Sequence, residues 1–169
     1  VMNSLIKHRG PDGDGVWLSN KASASLGLGH VRLSIIDLSD AANQPLIDEY
    51  GNVIVFNGEI YNYLELKNHL KDHWQFKTSS DTEVILAAYH HYGPSFIDHL
   101  EGMFAFALWD IKLNKLILAR DRVGIKPLYY FTKKDCNKTQ LYFSSEVKAL
   151  LPFIDNINIS PVGMTEYLL

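Results

Sequence analysis

The sequence has a single cysteine, Cys136, among its 169 residues. One cysteine cannot build a disulfide framework, and such sparse use is typical of a reducing compartment, so we predict a cytoplasmic location. No apolar run approaches the roughly 20 residues that a membrane-spanning helix needs. The net charge is −3 and there is no basic stripe, which argues against a nucleic-acid partner.

The composition is that of an ordinary globular domain. Hydrophobic residues make up 47% of the chain and charged residues 21%. A chain of this length can bury a sizeable core, and no repeat, low-complexity stretch or linker interrupts it. We therefore predict one domain over residues 1–169.

Strand patterns outnumber helix patterns along the chain. Apolar or alternating runs predict strands at residues 16–18, 25–30, 53–56, 103–109, 115–120, 128–131 and 141–144. Helices are predicted at residues 61–70, 81–92 and 94–99, with Gly93 ending the second of them. Residues 135–139 are polar and predict a hairpin loop. These patterns favour an α+β fold with large sheets.

The most informative segment is FNGEIYNY, at residues 56–63. An Asn-Gly pair such as Asn57-Gly58 usually makes a tight hairpin turn, because both residues tolerate positive φ. A helical pattern follows instead of a second strand, so we predict a strand-to-helix turn. In such a turn, the Asn57 side-chain N–H and the Gly58 backbone N–H can converge on a developing oxyanion. From this segment alone, a structural turn and a catalytic site are equally open.

Four further segments occur in register with this one: HRGPDG (8–13), RLSIID (32–37), SDTE (80–83) and RDRVGIKPLYY (120–130). With them, the chain resembles the glutaminase domain of class II glutamine amidotransferases, and most closely that of glutamine-hydrolysing asparagine synthetases. The segment SSEVKAL (144–150) resembles the same branch. The resemblance implies an N-terminal nucleophile hydrolase fold, which is a four-layer αββα sandwich of two antiparallel sheets with helices outside.

The resemblance also implies roles for individual residues. Asn57 and Gly58 would form the oxyanion hole, and Arg32 would bind the substrate α-carboxylate, which a guanidinium fits bidentately. Asp81 would take the substrate ammonium, with Glu59 beside it. Further contacts to bound glutamine would come from backbone groups of Leu33, Ile35 and Ile36.

Structural explanations compete with two of these roles. Residues 80–83 read as a capping box, and an acidic residue in a first turn also favours the helix dipole. Asp81 can serve both purposes, since a capped helix terminus is a rigid mount for a carboxylate. For Arg32 the alternative is a surface ion pair. We predict no metal site, because the i,i+4 pair His69 and His73 has no evident third ligand.

The family's nucleophile is an N-terminal cysteine whose own α-amino group acts as the base. These 169 residues hold no such cysteine. Cys136 lies in a polar stretch with no neighbour that would activate its thiol, so we interpret it as inert. We expect that the sequence lacks the domain's first strand and part of its first helix. The alternative is a relative without a nucleophile.

The parent protein would hydrolyse glutamine to glutamate and ammonia through a γ-glutamyl thioester. Ammonia would pass to a C-terminal synthetase domain, absent from this chain, that activates aspartate with ATP and Mg²⁺; the glutaminase domain itself would need no cofactor. A homodimer is possible in this family. Two alternatives stay open: a glutaminase serving amino-sugar or purine synthesis, and a degenerate module that only binds or braces a partner.

We expect no hydrolysis of glutamine by the 169-residue chain, since it has no N-terminal cysteine with a free amine. Incubation with glutamine and coupled detection of glutamate should give background signal. Turnover that disappears in Cys136→Ser would contradict this expectation and identify Cys136 as the nucleophile.

Overall fold

A computed structural model of the chain describes residues 1–19, 25–33, 36–37, 39–135, 138–158 and 160–168. The strands are β1 (Gly13–Leu18), β2 (Gly27–Arg32), β3 (Leu46–Ile47), β4 (Val53–Ile60), β5 (Gly102–Asp110), β6 (Lys115–Arg120), β7 (Tyr129–Asp135) and β8 (Lys138–Ser144). The α-helices are α1 (Met2–Leu5), α2 (Tyr63–Leu70), α3 (Asp81–Tyr92) and α4 (Pro161–Leu168). Short 3₁₀ helices cover Lys7–Arg9, Asp40–Ala42, Gly93–His99, Val147–Ala149 and Leu151–Phe153.

A four-stranded antiparallel sheet with the order β3-β4-β5-β6 lies at the centre. β5 is buried along nearly its whole length, as its unbroken apolar sequence predicts for a strand between two layers. Residues on β4 alternate between the two faces of the sheet. Ile54, Phe56 and Ile60 face α2 and α3, which carry the larger core, so the helices cover one face.

The hairpins β1-β2 and β7-β8 cover the opposite face. Val53 and Val55 of β4 pack there with Trp109, with Leu28 of β2 and with Phe143 of β8 in a second core. Apolar side chains therefore fill both sides of the central sheet, which accounts for the strongly apolar strands β4 and β5.

A further helical layer lies outside the β1-β2 hairpin. The Asn3 side chain on α1 donates to the carbonyl of Gly15 at 3.1 Å and to that of His30 at 3.2 Å. It sits where a Cβ on Gly29 would be, on the face of β2 away from Leu28. The order helices, sheet, hairpins, helix confirms the predicted α+β sandwich of antiparallel sheets, although two separate two-stranded sheets form the second sheet layer in place of one continuous sheet. In the described part of the chain, no helix is long and apolar enough to cross a bilayer.

The predicted turn at Asn57-Gly58 is wrong, because both residues lie inside β4. Asn57 pairs with Ala105 and Gly58 with Phe104 in the ladder to β5. Long-range pairing has overridden the local turn preference of the Asn-Gly sequence. Glycine is needed for a different reason: a Cβ at position 58 would lie 2.2 Å from the carbonyl oxygen of Met103. The predicted hairpin at 135–139 is tighter than expected, since Asp135 already pairs with Lys138.

The predicted capping box of α3 is only half formed. Ser80 is the N-cap, and its Oγ accepts from the N–H of Thr82 at 3.1 Å. The carboxylate of Glu83 does not return to Ser80. It accepts instead from the preceding loop, from both the N–H and the hydroxyl of Thr78 at 2.7 Å. It also receives the N–H of Lys77 and the indole N–H of Trp74, so Glu83 anchors the loop to the helix.

We expect Glu83→Ala to lower the free energy of unfolding by about 3 kcal/mol or more, because several buried donors lose their acceptor at once. Urea denaturation followed by circular dichroism measures the change. Glu65→Ala, at an exposed first-turn position of α2, is the matched control and should cost less than about 1 kcal/mol. A Glu83→Ala protein as stable as this control would show that the loop anchor is dispensable.

Candidate functional site

The candidate site lies along an edge of β4 beside which the described residues place no strand. β3 pairs only with Val53 and Ile54, so β4 continues beyond it to Ile60 with one edge open. Phe104, opposite Gly58, directs its own N–H and carbonyl to Asp121, on the β6 side. The Gly58-Phe104 pair is therefore of the non-hydrogen-bonded type, and the N–H of Gly58 points to the open edge.

The two outward N–H groups on either side of Gly58 are anchored by side chains. The N–H of Phe56 donates to Gln44 Oε1 at 2.6 Å, and that of Ile60 donates to Asp81 Oδ2 at 3.1 Å. The N–H of Gly58 lies between them. The outward N–H groups of Phe56 and Ile60 are thus bound by the Gln44 amide and the Asp81 carboxylate, and the N–H of Gly58 between them has no partner among the described residues.

The side chain of Asn57 supplies a second donor beside this position. Asn57 shares the face of Val53 and Val55, so it points to the layer of the β1-β2 hairpin. Its Nδ2 is buried and has no hydrogen-bond partner within the described residues. Leaving a buried donor unsatisfied costs about 1–3 kcal/mol, which a bound acceptor would recover. Asn57 and Gly58 together offer two neutral donors of the kind that suits an oxyanion.

Asp81 and Glu59 form the acidic end of the site. Asp81 is the first residue of α3 and only 4% exposed, whereas Glu59 is exposed. Burial raises the pKa of Asp81 above its ordinary value, and the charge of nearby Glu59 acts in the same direction. Two carboxylates so placed would favour a cation between or beside them. Asp81 is not the N-cap; its carboxylate tethers β4 to the helix instead.

Arg32, at the end of β2, is held by neutral acceptors. Its guanidinium donates to the carbonyl of Ser39 at 3.1 Å, to the carbonyl of Asp37 and to the side-chain oxygen of Asn43. In the described part of the chain, none of these partners is a carboxylate, so the predicted alternative of a surface ion pair is not formed there. Its charge acts on the nearby carboxylate of Asp37, but no salt bridge joins it to a described carboxylate, and a guanidinium so placed suits an anionic ligand.

A cleft of about 400 Å³ adjoins Arg32. Gln44 also lines it, whereas Asn57, Gly58 and Asp81 do not. Leu33 is 57% exposed directly after β2, and Ile36 is half-buried. Ile35 and Cys136 lie outside the described residues, so their roles stay predictions.

Two residues that the sequence did not single out connect these parts. Asp37 accepts from the N–H of Ser79 at 2.8 Å, and so links the Arg32 loop to the start of α3. Hydrogen bonds from Ser39 lower the pKa of Asp37. His30 donates from Nε2 to the carbonyl of Phe56 at 3.1 Å. Burial lowers the pKa of His30 to about 4, so its ring is neutral at pH 7.

Comparison with known proteins identifies relatives of the whole chain. Residues 1–169 match the family described as the glutamine amidotransferase domain. The chain is 51% identical to Amidase chry2 of Gibberella zeae, over 88% of the chain and 22% of that protein. It is 44% identical to asparagine synthetase B of Escherichia coli, over 96% of the chain and 28% of that protein. It is 43% identical to the glutamine-hydrolyzing asparagine synthetase 1 of Bacillus subtilis, over 99% of the chain and 25% of that protein.

The chain therefore spans only about a quarter of the length of these curated relatives. Among solved structures, it resembles glutamine phosphoribosylpyrophosphate amidotransferase of Bacillus subtilis with a TM-score of 0.70. That match covers 88% of the chain and 39% of the other protein at 21% identity, and it supports the fold assignment.

Replacing Asp81 separates its structural contact from its charge. Asn keeps an acceptor for the N–H of Ile60, and it removes a carboxylate whose ionised form is disfavoured by burial. We expect Asp81→Asn to be at least as stable as the wild type at pH 7 in urea denaturation. Its affinity for glutamine in calorimetric titration should fall tenfold or more, because a charge-assisted contact worth about 1.5–3 kcal/mol is lost.

Asp81→Ala is the matched variant, since it also removes the acceptor. It should lose about 1–3 kcal/mol of stability together with the affinity. Wild-type affinity for glutamine in a well-folded Asp81→Asn protein would assign Asp81 a structural role alone.

Proposed function

The chain belongs to the family of glutamine amidotransferase domains, and we propose that, in a parent protein that supplies the N-terminal cysteine, this domain hydrolyses the side-chain amide of glutamine to give glutamate and ammonia. The observation that carries this proposal is the pair of donors on β4. Within the described residues, Asn57 Nδ2 is buried without a partner, and the N–H of the next residue, Gly58, points to the open edge of the strand. Neutral, pre-positioned donors are what a tetrahedral intermediate of acyl transfer requires.

The proposed reaction begins with a cysteine thiolate, from an N-terminal cysteine that these 169 residues do not contain. Its sulfur bonds to the carboxamide carbon, and the negative charge moves to the amide oxygen, which Asn57 and Gly58 would stabilise. The C–N bond then breaks as the leaving nitrogen takes up the proton that the terminal amine accepted from the thiol, and ammonia departs. Water hydrolyses the γ-glutamyl thioester, which releases glutamate and restores the thiol.

The charged ends of the site are suited to the free amino acid part of glutamine. Arg32 offers a guanidinium that no described carboxylate pairs with, which suits the α-carboxylate, and Asp81, with Glu59 nearby, offers negative charge for the α-ammonium. We infer that backbone groups of Leu33, Ile35 and Ile36 complete the contacts. The two charges fix the substrate by its constant end, so the carboxamide reaches the donors.

For the whole protein, we propose ATP-dependent synthesis of asparagine from aspartate. The relatives that are named asparagine synthetases support this proposal, and so does the fact that they are much longer than this chain. A C-terminal synthetase domain would then use the ammonia and would hold ATP and Mg²⁺. We place the protein in the cytoplasm, with a homodimer as its possible assembly. A relative named as an amidase, at 51% identity, favours a second candidate, an amidase with the same site and another acceptor.

The proposed function predicts that Arg32→Ala, in the full-length protein, impairs asparagine synthesis from glutamine far more than synthesis from ammonia. Arg32 would hold only the glutamine carboxylate, whereas free ammonia enters after that step. Loss of the charge-assisted pair, about 1.5–3 kcal/mol, corresponds to a 10- to 150-fold lower kcat/KM for glutamine. Steady-state assays with each nitrogen donor measure it.

Arg122→Ala is the control, since Arg122 is exposed in the loop after β6. It should leave both activities within about twofold of the wild type. Equal loss of both activities in Arg32→Ala would show that Arg32 supports folding, and an ammonia-dependent product other than asparagine would overturn the choice of acceptor.

A further inference from the structure

Both backbone polar groups of Phe56 are held by side chains instead of a neighbouring strand. The β3-β4 register, with Leu46 opposite Ile54, places Gln44 opposite Phe56. β3 begins only at Leu46, so its ladder stops at Ile54 and does not reach Phe56. The Gln44 side chain takes over, and its Oε1 accepts the N–H of Phe56 at 2.6 Å. The carbonyl of Phe56 accepts from His30 Nε2 at 3.1 Å.

The other end of the Gln44 carboxamide reaches α3. Its Nε2 donates to the hydroxyl of Thr82 at 3.3 Å, and Thr82 is only 2% exposed. Thr82 directly follows Asp81 in the first turn of α3. One side chain therefore bridges the strand that carries Asn57 and the helix that carries Asp81.

We propose that Gln44 is a positioning residue for the glutaminase site, acting through the backbone of Phe56 on the donors of Asn57 and Gly58. This inference rests on the proposed function and deepens it. Beyond β3, the described residues pair β4 with a strand on one side only, which is β5. Without the Gln44 anchor on the other side, the edge of β4 at Phe56 could shift, and the N–H of Gly58 and the side chain of Asn57 would shift with it. Donors to an oxyanion act through their fixed direction, and small misplacements reduce their effect strongly.

The chemistry of the bridge requires an amide of this length. A glutamine carboxamide accepts through its oxygen and donates through its nitrogen, so it satisfies Phe56 and Thr82 at once. Methionine has a similar shape but neither group. Asparagine keeps both groups but is one methylene shorter, so it cannot span the same gap. We therefore expect Gln44→Met to disturb the bridge more than Gln44→Asn does.

The first test is the kinetics of Gln44→Met in the full-length protein. We expect kcat with glutamine to fall about tenfold while KM stays within about twofold, because the donors act mainly in the transition state. Activity with ammonia should be unchanged. Gln44→Asn should lie between Gln44→Met and the wild type. Gln140→Met, at an exposed position of β8, is the matched control and should behave as the wild type.

A double-mutant cycle with Asn57→Ala separates positioning from a general structural role. Removing one oxyanion donor should lower kcat on the order of 10²-fold. If Gln44 acts through that donor, adding Gln44→Met to Asn57→Ala should lower kcat by less than about threefold more. A full tenfold further loss would show an independent effect and would overturn the proposal.

Hydrogen exchange provides a readout that does not depend on activity. In Gln44→Met, and more weakly in Gln44→Asn, the peptide that covers β4 should exchange faster, while peptides from β7 and β8 keep the wild-type rate. Unchanged kcat and exchange in Gln44→Met, beside an impaired Asn57→Ala, would overturn the role of Gln44 alone. Unchanged kcat in Asn57→Ala would instead overturn the oxyanion hole on which the proposed function rests.

Discussion

The site depends on the shortness of one edge strand, β3. β3 contributes two residues to the sheet, so β4 continues past it with three outward N–H groups that no strand in the described part of the chain receives. An extended β3 would pair all three and would leave no donor for a ligand. The chain instead satisfies the first with Gln44 and the last with Asp81. The donor between them, on Gly58, is left accessible by the same arrangement that fixes its direction.

This arrangement places several unfavourable features in one small region. Asn57 has a buried Nδ2 with no partner among the described residues, and Asp81 is a buried carboxylate whose pKa is raised. Each lowers the stability of the free domain, and a zwitterionic ligand with a carboxamide would relieve both. The stability comes from elsewhere, from the two cores on either side of β4 and from Glu83, which anchors the loop before α3. Unfavourable groups that are concentrated at one site, within an otherwise well-packed domain, are typical of functional regions.

The sequence predicted the elements whose residues decide their own structure. α3 begins at Asp81 and ends at Tyr92 as expected, because a capping serine and a terminal glycine mark its ends. β5 followed from its apolar run. The predicted turn at Asn57-Gly58 was wrong because local propensity contains no information about pairing with β5. The residues of β5 that pair with this segment lie 45 or more positions further along the chain. No sequence pattern indicated a role for Gln44, because that role arises only from its position just before β3 begins.

The parts of the site belong to different layers of the fold, which makes the site a property of their packing. Arg32 is carried by the β1-β2 hairpin, the paired donors by the central sheet and Asp81 by the helical layer. Hydrogen bonds from His30 to Phe56 and from Ser79 to Asp37 join these layers at the site itself. A ligand that contacts all three layers binds only the packed state, so its binding free energy adds to the stability of the domain. Under the proposed function, glutamine binding and the packing of these three layers are therefore linked equilibria.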